Sequence, residues 1–256
     1  MHRRKFFRLT QLSVISALST ALVPQISARA QSAGSLTVEW LGHSCFLLRG
    51  SGNRILINPF QPAGCTANYR APNVTADLVF ISSRLLDEGA IENLPGQPKL
   101  LFEPGTYRPN GLSVQGIRTL HDRYNGYRFG TNVAWKWQQA GINILHLGGI
   151  ASEIGIEQKI LMGQPDLLFI PVGGSEKAYT AEEAKQAIDT LQPKVVIPMH
   201  YLTAAANPEL CDLESVDKFL ELMSGRTINR TGRSSLTFQA DTLPRSGPVI
   251  QVMAYS

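Results

Sequence analysis

Asp77–Ala90 reads DLVFISSRLLDEGA. Leu78, Val79, Phe80 and Ile81 form a short continuous apolar run, the pattern of a strand buried on both faces. The run stops at Ser82-Ser83-Arg84 and passes into Leu85-Leu86-Asp87-Glu88-Gly89. In an open α/β sheet, ligands and reactive groups gather beyond the C-terminal ends of such strands. Here that place holds two adjacent carboxylates, Asp87 and Glu88, beside two serines and an arginine.

Downstream, Asp166–Val172 and Lys194–Met199 are predicted as two further buried strands. Gly173-Gly174 breaks the first, and Thr180-Ala181-Glu182-Glu183 is a capping box, in which the Thr hydroxyl and the Glu183 carboxylate satisfy free backbone N–H groups. Ala184, Ile188 and Leu191 then share one helical face, and Pro193 closes the helix. A strand, a helix and a strand in this order predict a parallel pair.

The remaining elements flank these. Leu36–Trp40, Cys45–Arg49 and Arg54–Ile57 are strand-like, and Ser51-Gly52-Asn53 is a turn signal. Gln61–Thr75 reads as a loop and Asp87–Leu94 as a short helix before Pro95-Gly96. Leu100–Phe102, Leu112–His121, Thr131–Gln138 and Ile142–Leu147 are expected to be extended, and Glu153–Met162 to be helical with Gly163 at its cap. Leu213, Val216, Phe219, Leu220 and Met223 trace a second amphipathic helix ending at Gly225; Leu236–Gln239 and Val249–Ala254 are closing strands. The pattern is α/β, and no linker forces a boundary within residues 31–256.

The formal charge of +4 is concentrated at the start of the chain. Residues 1–30 hold Arg3, Arg4, Lys5, Arg8 and Arg29 with no Asp or Glu, which leaves nineteen basic and twenty acidic residues in the rest. The body therefore lacks the basic footprint of a nucleic-acid-binding protein. Residues 1–30 read as a signal peptide: a basic start, an apolar run over Leu12–Val23, and Ala28-Arg29-Ala30 as an A-x-A cleavage site. The run is too short and too rich in Ser and Thr to span a membrane, so no span is expected after cleavage. Arg3-Arg4 before Lys5-Phe6-Phe7 resembles a twin-arginine signal, which implies export to a periplasm or a thylakoid lumen. Cys45, Cys65 and Cys211 match no zinc-knuckle spacing; one disulfide of undetermined pairing is compatible with export, but three buried small hydrophobes is the plainer expectation.

Several motifs together resemble the metallo-β-lactamase superfamily. Over roughly Thr37–Tyr201 they follow the order of its branch containing L-ascorbate-6-phosphate lactonase. Gly42-His43-Ser44 resembles an early Gly-His-Ser/Ala element. Ile55-Leu56-Ile57-Asn58-Pro59-Phe60 resembles a strand with Asp at the place of Asn58. Leu120-His121, His146-Leu147-Gly148-Gly149 and Ile197-Pro198-Met199-His200-Tyr201 resemble three elements that carry metal ligands in that family. The central stretch lies over its Ser-His-x-His-x-Asp-His run, with Ser82 and Asp87 matching and Ser83, Leu85 and Glu88 at the histidine positions. Gly149 stands where a metal-bridging aspartate is expected. The resemblance implies a four-layer αββα sandwich, with a site at one edge between the sheets.

By this resemblance Asp87, Glu88, His121 and His200 are the candidate metal ligands and Asp87 and His121 the candidate catalytic groups, with His43 and Ser83 facing a substrate. The expected cofactor is none, or one weakly held divalent metal (zinc, manganese or iron), because an oxygen-rich set favours a harder ion. Plainer readings stand beside these. Asp87 and Glu88 suit the first turn of a helix, Asp87 suits a pairing with Arg84, His121 and His200 suit packed relics, His43 a turn, and His146 a satisfied core histidine. Trp135 and Trp137 alternate on one strand and read as core or rim. No G-x-S-x-G elbow frames Ser82 or Ser83. The implied function is a hydrolase of lactones, esters or phosphodiesters with most metal ligands replaced. The alternative is a non-catalytic protein that keeps the cleft for a small molecule or a partner.

Overall fold

The computed structural model describes residues 34–255. The signal peptide, the twin-arginine pair and the cleavage site expected in residues 1–30 lie outside them. Fourteen strands are present among the described residues. The first five are β1 (Leu36–Gly42), β2 (Cys45–Gly50), β3 (Asn53–Ile57), β4 (Leu78–Phe80) and β5 (Lys99–Leu101). Next come β6 (Gly105–Tyr107), β7 (Val114–Leu120), β8 (Thr131–Gln139), β9 (Ile142–His146), β10 (Leu167–Pro171) and β11 (Val195–Met199). The last three are β12 (Thr227–Arg230), β13 (Ser235–Phe238) and β14 (Val249–Val252). Three helices accompany them: α1 (Ile156–Met162), α2 (Ala181–Leu191) and α3 (Val216–Leu222).

The strands form two mixed sheets, ordered β13-β1-β2-β3-β4-β5 and β12-β14-β11-β10-β9-β8-β7-β6. The βαβ unit is as expected, with β10 parallel to β11 and Leu167 opposite Val195. All five residues of each strand are buried, as both faces of the sheet are covered. The two sheets pack face to face through Phe46 on Phe169, with centroids 4.6 Å apart, and Phe80 on Trp135 at 5.2 Å. Trp135 and Trp137 both belong to this core. The outer face of the second sheet is covered by helices, with Ala184, Ile188 and Leu191 of α2 and Phe219 of α3 buried in the same cluster. The capping box closes as expected: Glu183 N–H donates to Thr180 Oγ1 at 3.2 Å, and Thr180 N–H to the Glu183 carboxylate at 2.8 Å.

The outer face of the first sheet is covered by irregular chain. Cys45, Leu47, Leu56 and Val79 point there and pack on Phe60, Tyr69, Ala76 and Ile81. Two local expectations need correction, and two strands go beyond those expected. Asp87–Leu94 is not helical but a tight loop, in which Glu88 and Gly89 both donate to the Leu85 carbonyl, at 3.0 and 2.8 Å. A Cβ on Gly89 would lie 2.3 Å from the Ser83 carbonyl oxygen, so only glycine permits this fold-back. Secondly, Cys65 and Cys211 form a disulfide and only Cys45 is a buried free thiol. Finally, β6 and β12 occupy stretches that carry no apolar alternation, and both are mostly exposed edge strands.

Candidate functional site

The site lies where six loops meet between the sheets: those after β1, β4, β7, β9, β10 and β11. Asn58, fully buried with φ 50°, ties two of them together. Its carbonyl oxygen accepts from Ser82 N–H at 2.8 Å, and its amide donates to Ser44 Oγ at 3.3 Å. His200 N–H donates to the His43 carbonyl at 3.1 Å, joining the loop after β11 to the turn between β1 and β2. Both histidines have left-handed backbones, with φ of 52° for His43 and 53° for His200. Such conformations are uncommon for side chains other than glycine and concentrate at functional sites.

The side chains form two linked groups. In the deeper one, His121 Nε2 lies 2.8 Å from Glu88 Oε2, and Ser83 Oγ donates to the same oxygen at 3.1 Å. Neither His121 nor Glu88 has any exposed surface. Burial pushes the His121 pKa down, but the Glu88 charge and hydrogen bond outweigh it, and the net displacement is upward. In the shallower group, Asp87 pairs with Lys177 and lies 3.7 Å from His43 Nε2. Burial raises the Asp87 pKa, yet His43 and Lys177 together hold it well below the usual carboxylate range. Asp87 therefore pairs with Lys177 rather than Arg84, whose guanidinium stacks 4.7 Å over the Phe102 ring.

His200 links the groups. Its ring lies against His43 with centroids 3.9 Å apart and planes tilted by 41°, and its Nδ1 lies 3.9 Å from Glu88 Oε1. Burial drives its pKa well below the ordinary histidine value, so the ring is neutral. Unpartnered buried polar atoms collect here: both His200 nitrogens, His43 Nε2, His121 Nδ1 and Glu88 Oε1. Buried polar groups are normally satisfied, so this concentration marks a place built to meet something polar. His146 is different. Its Nε2–H donates to the Ser44 carbonyl at 3.0 Å, its Nδ1 accepts from Gly148 N–H at 3.2 Å, and burial lowers its pKa to about 4. It is the satisfied core histidine that its strand position suggests.

A cavity of about 420 Å³ opens over this floor. His43, Asp87, Lys177 and His200 give it a polar end, while Leu85 and Phe129 give it an apolar wall. Its rim is tied by the Cys65–Cys211 disulfide, since Cys65, Leu210 and Asp212 all line it. Sequence patterns do not single out Lys177, Phe129 or Asp122. Asp122 is fully buried and accepts from the N–H groups of Tyr124, Gly126, Arg128 and Phe129 at 2.7–3.0 Å, which fixes the loop carrying Phe129. The one sequence signal for Lys177 is its place in the loop after a buried strand.

A metal of the kind the resemblance implies does not fit this arrangement. Asp87, Glu88, His121 and His200 are brought to one region, but Asp87 is taken by Lys177, and Glu88 Oε2 by His121 and Ser83. Among the described residues, no three His, Cys, Asp or Glu side chains are disposed to hold one ion. Ser83 and Leu85 offer no nitrogen, and Gly149 offers no side chain.

Comparisons with known proteins agree with the fold. A family model described as "Beta-lactamase superfamily domain" matches residues 37–200. The chain is 28% identical over 201 residues to a protein of Thermococcus onnurineus named as a metal-dependent hydrolase, covering 67% of this chain and 88% of that one. It is 29% identical to a metal-dependent hydrolase of Thermoplasma acidophilum, covering 68% and 88%. A Thermotoga maritima crystal structure, described as a candidate Zn-dependent hydrolase of the metallo-β-lactamase superfamily, superposes with a TM-score of 0.68 at 31% identity, covering 85% of this chain and 98% of that one. With the two-sheet architecture and the matched motifs, these similarities show that the chain belongs to the metallo-β-lactamase superfamily.

Proposed function

We propose that this protein is a hydrolase-type member of its superfamily, whose cavity takes a small lactone, ester or phosphodiester, and that its metal centre is degenerate. The relatives' names, metal-dependent and Zn-dependent hydrolases, support the reaction class. The motif order of the L-ascorbate-6-phosphate lactonase branch supports a small polar substrate. The observation that carries the reading is the cavity itself. Its floor presents a neutral, buried His200 with two unpartnered nitrogens, beside His43 and the Asp87–Lys177 pair. A neutral imidazole offers one donor and one acceptor to a bound carbonyl or phosphoryl group. Lys177 offers a positive charge to a developing oxyanion, and Leu85 and Phe129 exclude water from one side.

A second reading, a non-catalytic small-molecule-binding protein, is favoured by one specific observation. The Asp87 carboxylate is committed to Lys177 and no nucleophile–base–orienter set is assembled, so the chemical step lacks an evident engine. Turnover of lactone, ester and phosphodiester panels by the purified chain separates the readings. Hydrolysis abolished by His200→Ala and Lys177→Ala supports the enzyme. No turnover, with a small molecule retained by the natural chain but not by those variants, supports the binding protein.

We further propose export by the twin-arginine route, on the strength of Arg3-Arg4 and the A-x-A site. Among the described residues, no helix is long and apolar enough to cross a membrane. Changing Arg3 and Arg4 to Lys should stop export, and N-terminal sequencing of the exported protein should begin at or near Gln31. Normal export of the double-Lys chain would remove the twin-arginine assignment.

A further inference from the structure

Gly149 stands near the start of the loop after β9, and its φ lies outside the left-handed region. Its lack of a side chain is therefore not a backbone requirement. The space where its Cβ would be is already taken. That Cβ would lie 2.6 Å from His121 Cε1, 2.7 Å from His121 Nε2 and 2.7 Å from Glu88 Oε1. Such distances are shorter than van der Waals contact, so any side chain at position 149 excludes the Glu88–His121 pair as it stands. Conversely, a carboxylate on residue 149 would reach into the volume that the Glu88 carboxylate fills. One carboxylate fits there, and in this chain it comes from the central loop.

We infer that the Glu88–His121 pair is a built-in replacement for the metal centre. Glu88 supplies the carboxylate that position 149 lacks, His121 supplies its partner, and Gly149 is the space that admits both. The pair is fully buried, and the Ser83 hydroxyl donates to the same Glu88 oxygen. The Gly89 fold-back delivers Glu88 to it, because the chain reverses against Ser83 only where no Cβ intervenes. The deep end of the cleft is thereby filled by protein groups, so the fold needs no ion to hold Glu88 and His121 together. This inference rests on the reading that the relatives' metal centre is not rebuilt here; it does not depend on what the cavity binds.

The test uses the full chain and reads metal content and melting temperature, so its failure is distinguishable from the failure of the substrate assignment, which is read by turnover. The natural chain should purify with far less than one metal per molecule. Its melting temperature should be unmoved by added zinc or by a chelator. Breaking a fully buried charged pair from one side leaves the other group uncompensated, so Glu88→Ala should lower the melting temperature by about 10 °C. Gly149→Ala should also lower it in the natural background, by displacing the pair. In the Glu88→Ala background the same Ala should cost little, because the carboxylate it strikes is gone and His121 is free to move. If Glu88→Ala does not fold, Glu88→Asp replaces it in the cycle, since its shorter side chain keeps a carboxylate but withdraws it from the space beside position 149. Additive shifts from positions 88 and 149 would overturn the inference. So would one tightly held metal per natural chain whose removal lowers the melting temperature.

Discussion

His43 and His200 face each other across the two sheets, ring on ring at 3.9 Å, with the His200 N–H bonded to the His43 carbonyl at 3.1 Å. Each ring is held in place by a left-handed backbone at its own residue. The contact is thus specified twice, by backbone conformation and by the hydrogen bond that crosses between the sheets. It brings the turn between β1 and β2 and the loop after β11 to one floor.

A substitution series at His200 tests that specification. Asn tolerates left-handed φ, so His200→Asn should fold with little loss. His200→Val puts a β-branched side chain in the same conformation, at an added cost of about 1–2 kcal/mol. The difference should appear as a lower urea midpoint for Val than for Asn. Equal midpoints would show that position 200 does not impose its backbone conformation.

The Cys65–Cys211 disulfide closes a loop with a sequence separation of 146 residues and ties two walls of the cavity. Replacing both cysteines by serine should lower stability by about 2–4 kcal/mol, mostly through the unfolded state. Ligand affinity should fall as well, because the Cys65 and Leu210 walls are then joined only by weaker contacts. A double-Ser chain with unchanged affinity would make the bridge purely a stability device.

Glu183 sets a dependence on pH. Its carboxylate accepts from Thr180 N–H at 2.8 Å and from Arg123, and Arg123 also donates to the Ser175 and Ala178 carbonyls on either side of Lys177. Burial raises the Glu183 pKa, but Arg123 and the capped N–H outweigh it, and the net displacement is downward. A depressed carboxylate contributes stability that is fully present above its unfolded pKa, near 4.3, and is lost as pH falls through the folded value. Glu183→Gln should therefore cost about 0.5–2 kcal/mol at neutral pH, the scale of a lost cap. It should also flatten the loss of stability below about pH 4. Parallel acid-unfolding curves for the two proteins would count against this.

Much of the fold is legible in the amino-acid sequence. The buried strands β4, β10 and β11 are continuous apolar runs, and the capping box at Thr180 fixes the start of α2 to the residue. What is not legible has a common physical cause. The Asp87–Leu94 stretch has helix-compatible composition, yet the contact between Gly89 and Ser83 overrides local propensity, and that contact exists only in three dimensions. Lys177 pairs with Asp87 across ninety residues of chain, so no local spacing reports it. The choice of Cys65 and Cys211 as partners is likewise set by two irregular loops meeting at a cavity rim, which periodicity does not describe.

The resemblance in the central stretch makes one prediction that the geometry sharpens. Restoring Ser83→His, Leu85→His, Glu88→His and Gly149→Asp should create metal affinity well above that of the natural chain. Each imidazole adds a nitrogen suited to zinc, and the aspartate adds a bridging carboxylate. The order of introduction matters. Gly149→Asp alone meets Glu88 and His121 at less than van der Waals distance, so it should destabilise by itself. Joined to Glu88→His it should be tolerated, because the carboxylate it opposes has gone. Asn58 occupies a fully buried bridge between Ser44 and Ser82. If it stands in for a supporting aspartate, its loss of charge should weaken the rebuilt site by about 10–100-fold relative to an intact one. Calorimetry with zinc, and a zinc-dependent rise in melting temperature, measure the result. A fourfold variant that folds but shows no metal-linked stabilisation would mean that positions 83, 85 and 88 do not stand where the superfamily's histidines stand.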